Sequence, residues 1–193
     1  CKRSNEKGSG IMKIIDIAQE VFSGHVYPGD PTPGYERLKE MSKGAVCNLT
    51  RFWMCAHNGT HEDAPAHFIA DGRTVEQMDL QDCIGDAYVI PGGEGWEERI
   101  PEGCERLLIR GPEAVTLEQA KVLTGKGIRL VATETQKMGD ADVHRELLGH
   151  GVVMLEGVDL TNAPDGKGFL CAQPLKLGGS EGAPCRPVLL YAD

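Results

Sequence analysis

From His57 to Phe68 the chain reads His57-Asn58-Gly59-Thr60-His61-Glu62-Asp63-Ala64-Pro65-Ala66-His67-Phe68, so three of its 6 histidines and an aspartate fall within one short run. Imidazole nitrogens and carboxylate oxygens are ligands that Zn²⁺ and Mn²⁺ accept, and residues this close can fill several coordination positions at once. The same set could serve as an acid/base site, because imidazole exchanges a proton near neutrality. A single histidine in a turn more often just closes a hydrogen bond. Three of them with an aspartate favour a metal or acid/base centre. The spacing is not that of a helical H-E-x-x-H site, since Asn58-Gly59 interrupts a helix and signals a turn. His57 and His61 must therefore converge through a bend, and Pro65 stops the segment from continuing as a regular ladder.

Something must hold that bend, and the flanking sequence supplies candidates. Val46–Cys55 reads as a strand leading into His57, and Met12–Ile17 as a first strand. Short apolar runs predict further strands at Ala87–Ile90, Arg106–Arg110, Ile128–Thr133, Val152–Glu156, Phe169–Leu175 and Pro187–Tyr191. Tyr27-Pro28-Gly29-Asp30-Pro31-Thr32-Pro33-Gly34 can be neither helix nor central strand. Two helices are expected. One starts at Thr116 with a Thr116/Gln119 capping box and stops at Gly125; the other runs Asp140–Leu148 with Asp140 as N-cap. On the second, His144, Leu147 and Leu148 share a face, which points His144 inward whether as ligand or as a hydrogen-bonded core histidine. Glu156 ends an apolar strand, where a buried carboxylate needs a partner; a metal would serve, and so would an arginine.

The whole chain has 193 residues, 20 basic against 29 acidic side chains and a net charge of −9. That length suits a single domain with its own core. The acidic balance argues against a sequence-independent nucleic-acid binder, and no apolar run approaches the roughly 18–20 residues of a membrane span. The 25 glycines point to many short elements joined by turns. Strands outnumber helices, which gives a mixed α/β single domain. Seven cysteines, at Cys1, Cys47, Cys55, Cys83, Cys104, Cys171 and Cys185, form no C-x-x-C pair and read as reduced thiols of a cytoplasmic protein. Residues 1–11 read as a disordered leader, with a mature lipoprotein starting at Cys1 as the alternative, and 12–193 as the domain.

The His57–Phe68 run resembles the H-x-G-T-H-x-D-x-P-x-H-F signature of the cyclase family of metal-dependent hydrolases, which includes bacterial kynurenine formamidases and isatin hydrolases. The likeness extends to Asp16-Ile17, Tyr27-Pro28-Gly29-Asp30, Gly72–Leu80, Gln173–Leu177 and Pro184–Leu189. It implies a swivelling β/β/α-type domain with a β-barrel-like sheet core and flanking helices. It also implies Zn²⁺ or Mn²⁺, as one or two ions. His57, His61 and Asp63 would hold one, with Asp63 bridging to a second held by His144 and Glu156, and His67 would act as acid/base. The implied reaction is hydrolysis of a small aryl formamide or cyclic amide, in a homodimer or homotetramer whose neighbour could shape the pocket. The chain departs from the family pattern at Thr133–Lys137, where Gln136 and Lys137 replace small or hydroxyl residues, and at Tyr27, where tryptophan is common. Those departures bear on substrate, and they leave a non-catalytic metal or small-molecule binding protein as the alternative. Weaker candidates are His25 and His150 in turns, Tyr27, Phe52 and Trp53 as stacking platforms, and Arg51, Lys176 and Arg186 as carboxylate partners. Asp79–Asp82 reads as surface loop.

Overall fold

The computed structural model describes residues 12–112 and 114–192, so the expected leader over 1–11 lies outside the described residues. Eleven strands are present among them: β1 (Lys13–Asp16), β2 (Gly34–Lys39), β3 (Leu49–Trp53), β4 (His61–Asp63), β5 (Ile84–Pro91), β6 (Arg106–Arg110), β7 (Leu130–Thr133), β8 (Val153–Glu156), β9 (Gly166–Cys171), β10 (Gly182–Pro184) and β11 (Val188–Tyr191). Three α-helices accompany them: α1 (Leu80–Cys83), α2 (Leu117–Gly125) and α3 (Ala141–Gly149).

Nine strands form one sheet in the order β1-β11-β9-β5-β6-β7-β8-β4-β10. Its centre, β5-β6-β7-β8, is parallel, and the flanking pairs are antiparallel. Parallel neighbours require crossovers, and α2 and α3 supply them between β6 and β7 and between β7 and β8. Central strands are buried on both faces, as crossover-covered parallel strands must be. Leu107, Ile109, Val131 and Met154 pack toward α2 and α3 with Leu123, Leu147 and Leu148. Leu108, Leu130, Ala132, Val153 and Leu155 pack on the other side with Ile15, Leu170 and Leu189. Those last three belong to strands at the far end of the sheet, so the sheet curls round to enclose its second core. The mixed α/β domain with a barrel-like sheet and few helices is the architecture the sequence led us to expect.

Both helices begin where their caps predict. Thr116 and Gln119 form the reciprocal capping box of α2, and the Asp140 side chain accepts from the Asp142 and Val143 amides at the start of α3. Three strands were not anticipated: β2, β4 and β10. The last two are three residues each and carry little apolar pattern; β4 is fixed between β8 and β10, and β10 by β4 alone. Asp79–Asp82, expected as loop, opens the one-turn α1 with Asp79 as its cap. No helix among the described residues is long and apolar enough to cross a membrane.

The remaining two strands, β2 and β3, form a separate antiparallel arm. Every residue of β3 is exposed, as are all of β2 but Gly34. The rest of the fold meets the arm where Phe22 packs against Tyr35, ring centroids 5.0 Å apart.

Candidate metal centre

The bend predicted between His57 and His61 is built by three backbone devices. The Asn58 side chain accepts from the Cys55 amide at 2.8 Å. Gly59 takes φ = 65°, a left-handed conformation glycine adopts without strain. The Thr60 hydroxyl donates to the Gly157 carbonyl at 2.6 Å and accepts from the Gln19 amide at 2.8 Å, tying the turn to two other segments. The chain then enters β4, where alternation sends His61 and Asp63 to one face and Glu62 to the other. Register places His61 opposite Glu156 of β8. α3 covers this face and lowers His144 into it, buried together with Leu147 and Leu148 as the shared face predicts.

Five predicted ligands converge. Asp63 Oδ1 lies 2.8 Å from His57 Nδ1 and 3.4 Å from His61 Nε2. Its other oxygen lies 3.7 Å from His144 Nε2. Glu156 spans the same two imidazoles, with Oε2 3.6 Å from His61 Nε2 and Oε1 3.4 Å from His144 Nε2. The two oxygens of Asp63 thus face different histidines, as a bridging carboxylate would. His61 and Asp63 are 1% exposed, Glu156 3% and His144 4%, a concentration of buried charge that needs compensation.

The imidazoles supply that compensation here. Burial alone would push Asp63 up, but hydrogen bonds from His57 and His61 and their charges hold its carboxyl well below the usual range. Burial likewise opposes charge on His57, His61 and His144, yet the facing carboxylates outweigh it and raise all three. A divalent cation at this point would neutralise the same carboxylates and leave the rings free as lone-pair donors.

Outer contacts already orient those lone pairs. His61 Nδ1 donates to the Gly59 carbonyl at 2.9 Å, and His144 Nδ1 to the Asp140 carbonyl at 2.7 Å. Each aims Nε2 at the carboxylates, where a cation would replace its proton, the usual arrangement of a metal-ligating histidine. Glu156 is pinned by the Met138 amide, which donates to Oε1 at 2.7 Å. The donor set, two carboxylates and neutral imidazoles with satisfied outer nitrogens, fits a borderline divalent ion such as Zn²⁺ or Mn²⁺.

His67 stands beside this group. The 3-10 turn Pro65–His67 carries its ring onto that of His57, centroids 4.1 Å apart and tilted by 27°. Burial lowers its pKa, and the charges of His57 and His144 push the same way, favouring a neutral ring. Phe68 packs on both His67 and His144, at 4.5 Å in each case. All six residues line a cavity of about 360 Å³ that also touches Tyr27, Asp30, Gln136, Lys137 and Ala141.

Other candidates lie elsewhere. Phe52, Trp53 and Arg51 are on the exposed arm, Arg51 paired to Glu36 at 2.6 Å. Arg186 is held by Asp16 at 2.7 Å, His150 caps the end of α3, and His25 borders a separate open groove with Gln19 and Glu20. Lys176 is exposed and outside the cavity lining. Of the stacking candidates only Tyr27 reaches the cavity, with Lys137 Nζ 5.8 Å from its ring centre.

Two contributors were not anticipated. Gln136, noted only as a departure, donates to the carbonyls of His57 (2.6 Å) and Gly59 (2.9 Å) and so braces the bend. Glu181, before β10, places Oε1 3.3 Å from His57 Nε2. No local pattern marks Glu181, because only the β4–β10 pairing brings it to the site.

A curled α/β sheet with a histidine–carboxylate cluster at its β4–β8 edge defines a class, and comparison with known proteins agrees. Residues 15–92 match the family described as "Putative cyclase". The chain is 33% identical to a kynurenine formamidase of Bacillus cereus, covering 91% of this chain and 96% of that one. It is 30% identical to the kynurenine formamidase of Erythrobacter litoralis over 92% and 93%. Among solved structures, a "Potential Metal-Dependent Hydrolase With Cyclase Activity" superposes with a TM-score of 0.81 at 27% identity, covering 94% of this chain and 99% of that one. Isatin hydrolase A from Labrenzia aggregata shares the fold, with a TM-score of 0.81 at 23% identity over 96% of each chain. The chain belongs to the cyclase family.

Proposed function

We propose that this protein is a metal-dependent amidohydrolase that cleaves the C–N bond of a small aryl formamide or cyclic amide, of the kind that N-formylkynurenine and isatin represent. The observation that carries the reading is the convergence of His57, His61, Asp63, His144 and Glu156 at one end of a cavity whose reactive edge also holds His67. His57, His61 and Asp63 would hold one ion; Asp63, His144 and Glu156 would hold a second. A divalent ion in such a donor set lowers the pKa of water toward neutrality and polarises a carbonyl.

The protein's own groups do the rest. His67, neutral and with no protein hydrogen bond to its ring nitrogens among the described residues, can accept a proton from attacking water and pass it to the departing nitrogen. Phe68 and Tyr27 give the cavity apolar walls suited to an aryl ring, and its volume suits one or two fused rings. Glu156 is fixed by the Met138 amide and His144 by the Asp140 carbonyl, so the two are held in place facing one another. The departure at Thr133–Lys137 supports the site, since Gln136 braces the His57–Gly59 bend. The test is metal analysis with hydrolysis assays on N-formylkynurenine, isatin and related amides. Turnover that follows Zn²⁺ or Mn²⁺ loading is expected, and metal-loaded protein inert toward the whole panel would overturn the reading.

The working unit is taken to be a homo-oligomer. An isolated two-stranded hairpin is marginal in water, yet the β2–β3 arm exposes Tyr35, Leu38, Leu49, Phe52 and Trp53 at 45–56%. Residues 34–53 carry +2, from Arg37, Lys39, Lys43 and Arg51 against Glu36 and Glu40, which leaves −11 on the remainder of a chain of −9. A basic, apolar arm and an acidic body are complementary between two copies. The six described cysteines are all free thiols, which suits a reducing cytoplasm.

A further inference from the structure

Each histidine facing the carboxylates has its outward nitrogen satisfied by a particular acceptor. For His61 and His144 that nitrogen is Nδ1 and the acceptor is a backbone carbonyl, of Gly59 and Asp140. His57 is the reverse case. Its Nδ1 faces Asp63 Oδ1 at 2.8 Å, and its Nε2 points away, toward Glu181 Oε1 at 3.3 Å. Among the described residues no backbone carbonyl accepts from either ring nitrogen of His57, so the Glu181 carboxylate takes the place that main-chain acceptors hold for the other two rings.

The seat around that ring is shaped by the next residue. A Cβ at position 182 would overlap His57 Cε1 and crowd both ring nitrogens at 3.0 Å, so glycine at 182 is what lets the ring lie against the β10 backbone. β10 is held in place independently: Gly182 pairs with Asp63, and the Ala64 amide donates to the Glu181 carbonyl at 2.8 Å. The main chain that carries Glu181 is therefore locked to the strand that carries His61 and Asp63. His67, stacked on the His57 ring with centroids 4.1 Å apart, holds the ring as well.

We infer that Glu181 is a positioning residue for the metal centre: it accepts the Nε2 proton of His57, fixes that tautomer, and commits His57 to ligate through Nδ1 beside Asp63 Oδ1, with Gly182 as the bare seat of the ring. This rests on the reading that the cluster binds a divalent ion. Outer-sphere acceptors of this type shift metal affinity by about 10–100-fold when removed. A carboxylate raises the basicity of the ring it holds more than a carbonyl does, which suits the least buried ligand of the set: the His57 side chain is 17% exposed against 2% for His61.

The experiment measures Zn²⁺ affinity by chelator competition for wild type, Glu181→Ala, Glu181→Gln and Gly182→Ala, together with Tm of the metal-free proteins. The tautomer of His57 is read from long-range ¹H–¹⁵N spectra of the Zn²⁺-loaded wild type. Glu181→Ala should weaken Zn²⁺ binding about 10–100-fold while leaving the metal-free Tm within about 2 °C, since surface substitutions shift stability little. Glu181→Gln, whose amide oxygen still accepts the proton, should recover most of the affinity, and Gly182→Ala should weaken binding as Glu181→Ala does. The spectra should show His57 protonated on Nε2. Unchanged affinity in Glu181→Ala, equal loss in the Gln and Ala variants, or a His57 that ligates through Nε2 would each overturn the inference. Wild-type protein that takes up no Zn²⁺ would instead overturn the reading of the site as a metal centre, so the two failures are distinguishable.

Discussion

Glu62 sits between two proposed ligands and yet does none of their work. Strand alternation turns it away from His61 and Asp63 into the opposite side of the sheet, where it is fully buried. There its Oε2 accepts from the Cys83 thiol at 3.3 Å, and its Oε1 has no hydrogen-bond partner among the described residues. Burial pushes the carboxyl up to about 8, so it is held largely as the neutral acid. A buried polar group so poorly satisfied contributes little stability. Glu62→Leu is therefore expected to leave Tm unchanged or raised by a few degrees in calorimetry, with metal stoichiometry intact; a loss of more than about 5 °C would mean that the carboxyl has a partner this account lacks. His67 makes the opposite prediction. His67→Ala should lower turnover about 10²–10⁴-fold, the usual weight of a general acid/base, while metal content by elemental analysis stays at the wild-type value. Residue types made most of this legible: three histidines and an aspartate around an Asn-Gly turn advertise a site in any fold. Gln136 and Glu181 stayed hidden because their role depends on which strand or loop arrives beside the bend, information that one-dimensional spacing does not hold.

Elements were readable to the extent that they carry their own signal. α2 and α3 declare themselves through Thr116 and Asp140 and through apolar faces, and β6, β7 and β8 through unbroken apolar runs. β4 and β10 have neither; β4 is a strand because β8 lies beside it and supplies the ladder, and β10 because β4 does the same for it. Asp140 joins two functions, capping α3 with its side chain and orienting His144 with its carbonyl. Asp140→Ala removes only the first. It should cost about 1 kcal/mol, a Tm loss of roughly 2–4 °C, with metal affinity unchanged, which thermal melts with and without Zn²⁺ would check. The β2–β3 arm was missed in part: β3 was expected, but its partner strand lies directly after a Pro/Gly-rich loop and lacks apolar alternation. Tyr35 and Phe52 are cross-strand partners on one exposed face. If that face covers a second copy, Phe52→Asp should shift the protein to monomer in light scattering. An unchanged mass would remove the arm from the interface.

Across the whole molecule, the curled sheet makes the site possible by bringing together side chains from a bend, an antiparallel strand next to the sheet edge, a parallel strand and a crossover helix. Two hydrophobic cores hold the frame without help from an ion, so metal-free protein should stay folded. Loaded with Zn²⁺ at about 100 times its dissociation constant it should gain about 2.7 kcal/mol, a Tm rise of roughly 5–10 °C, reversed by chelator. The overall class was visible beforehand because Gly-rich turns and strand excess restrict the choice of architecture, and the family signature narrowed it further. The most direct measurement is anomalous diffraction from crystals grown with Zn²⁺. Density within about 2.0–2.2 Å of His57 Nδ1, His61 Nε2 and Asp63, with a second peak beside Asp63, His144 Nε2 and Glu156 if two ions bind, is the predicted result. Crystals of active protein in which zinc lies nowhere near these side chains would contradict the account.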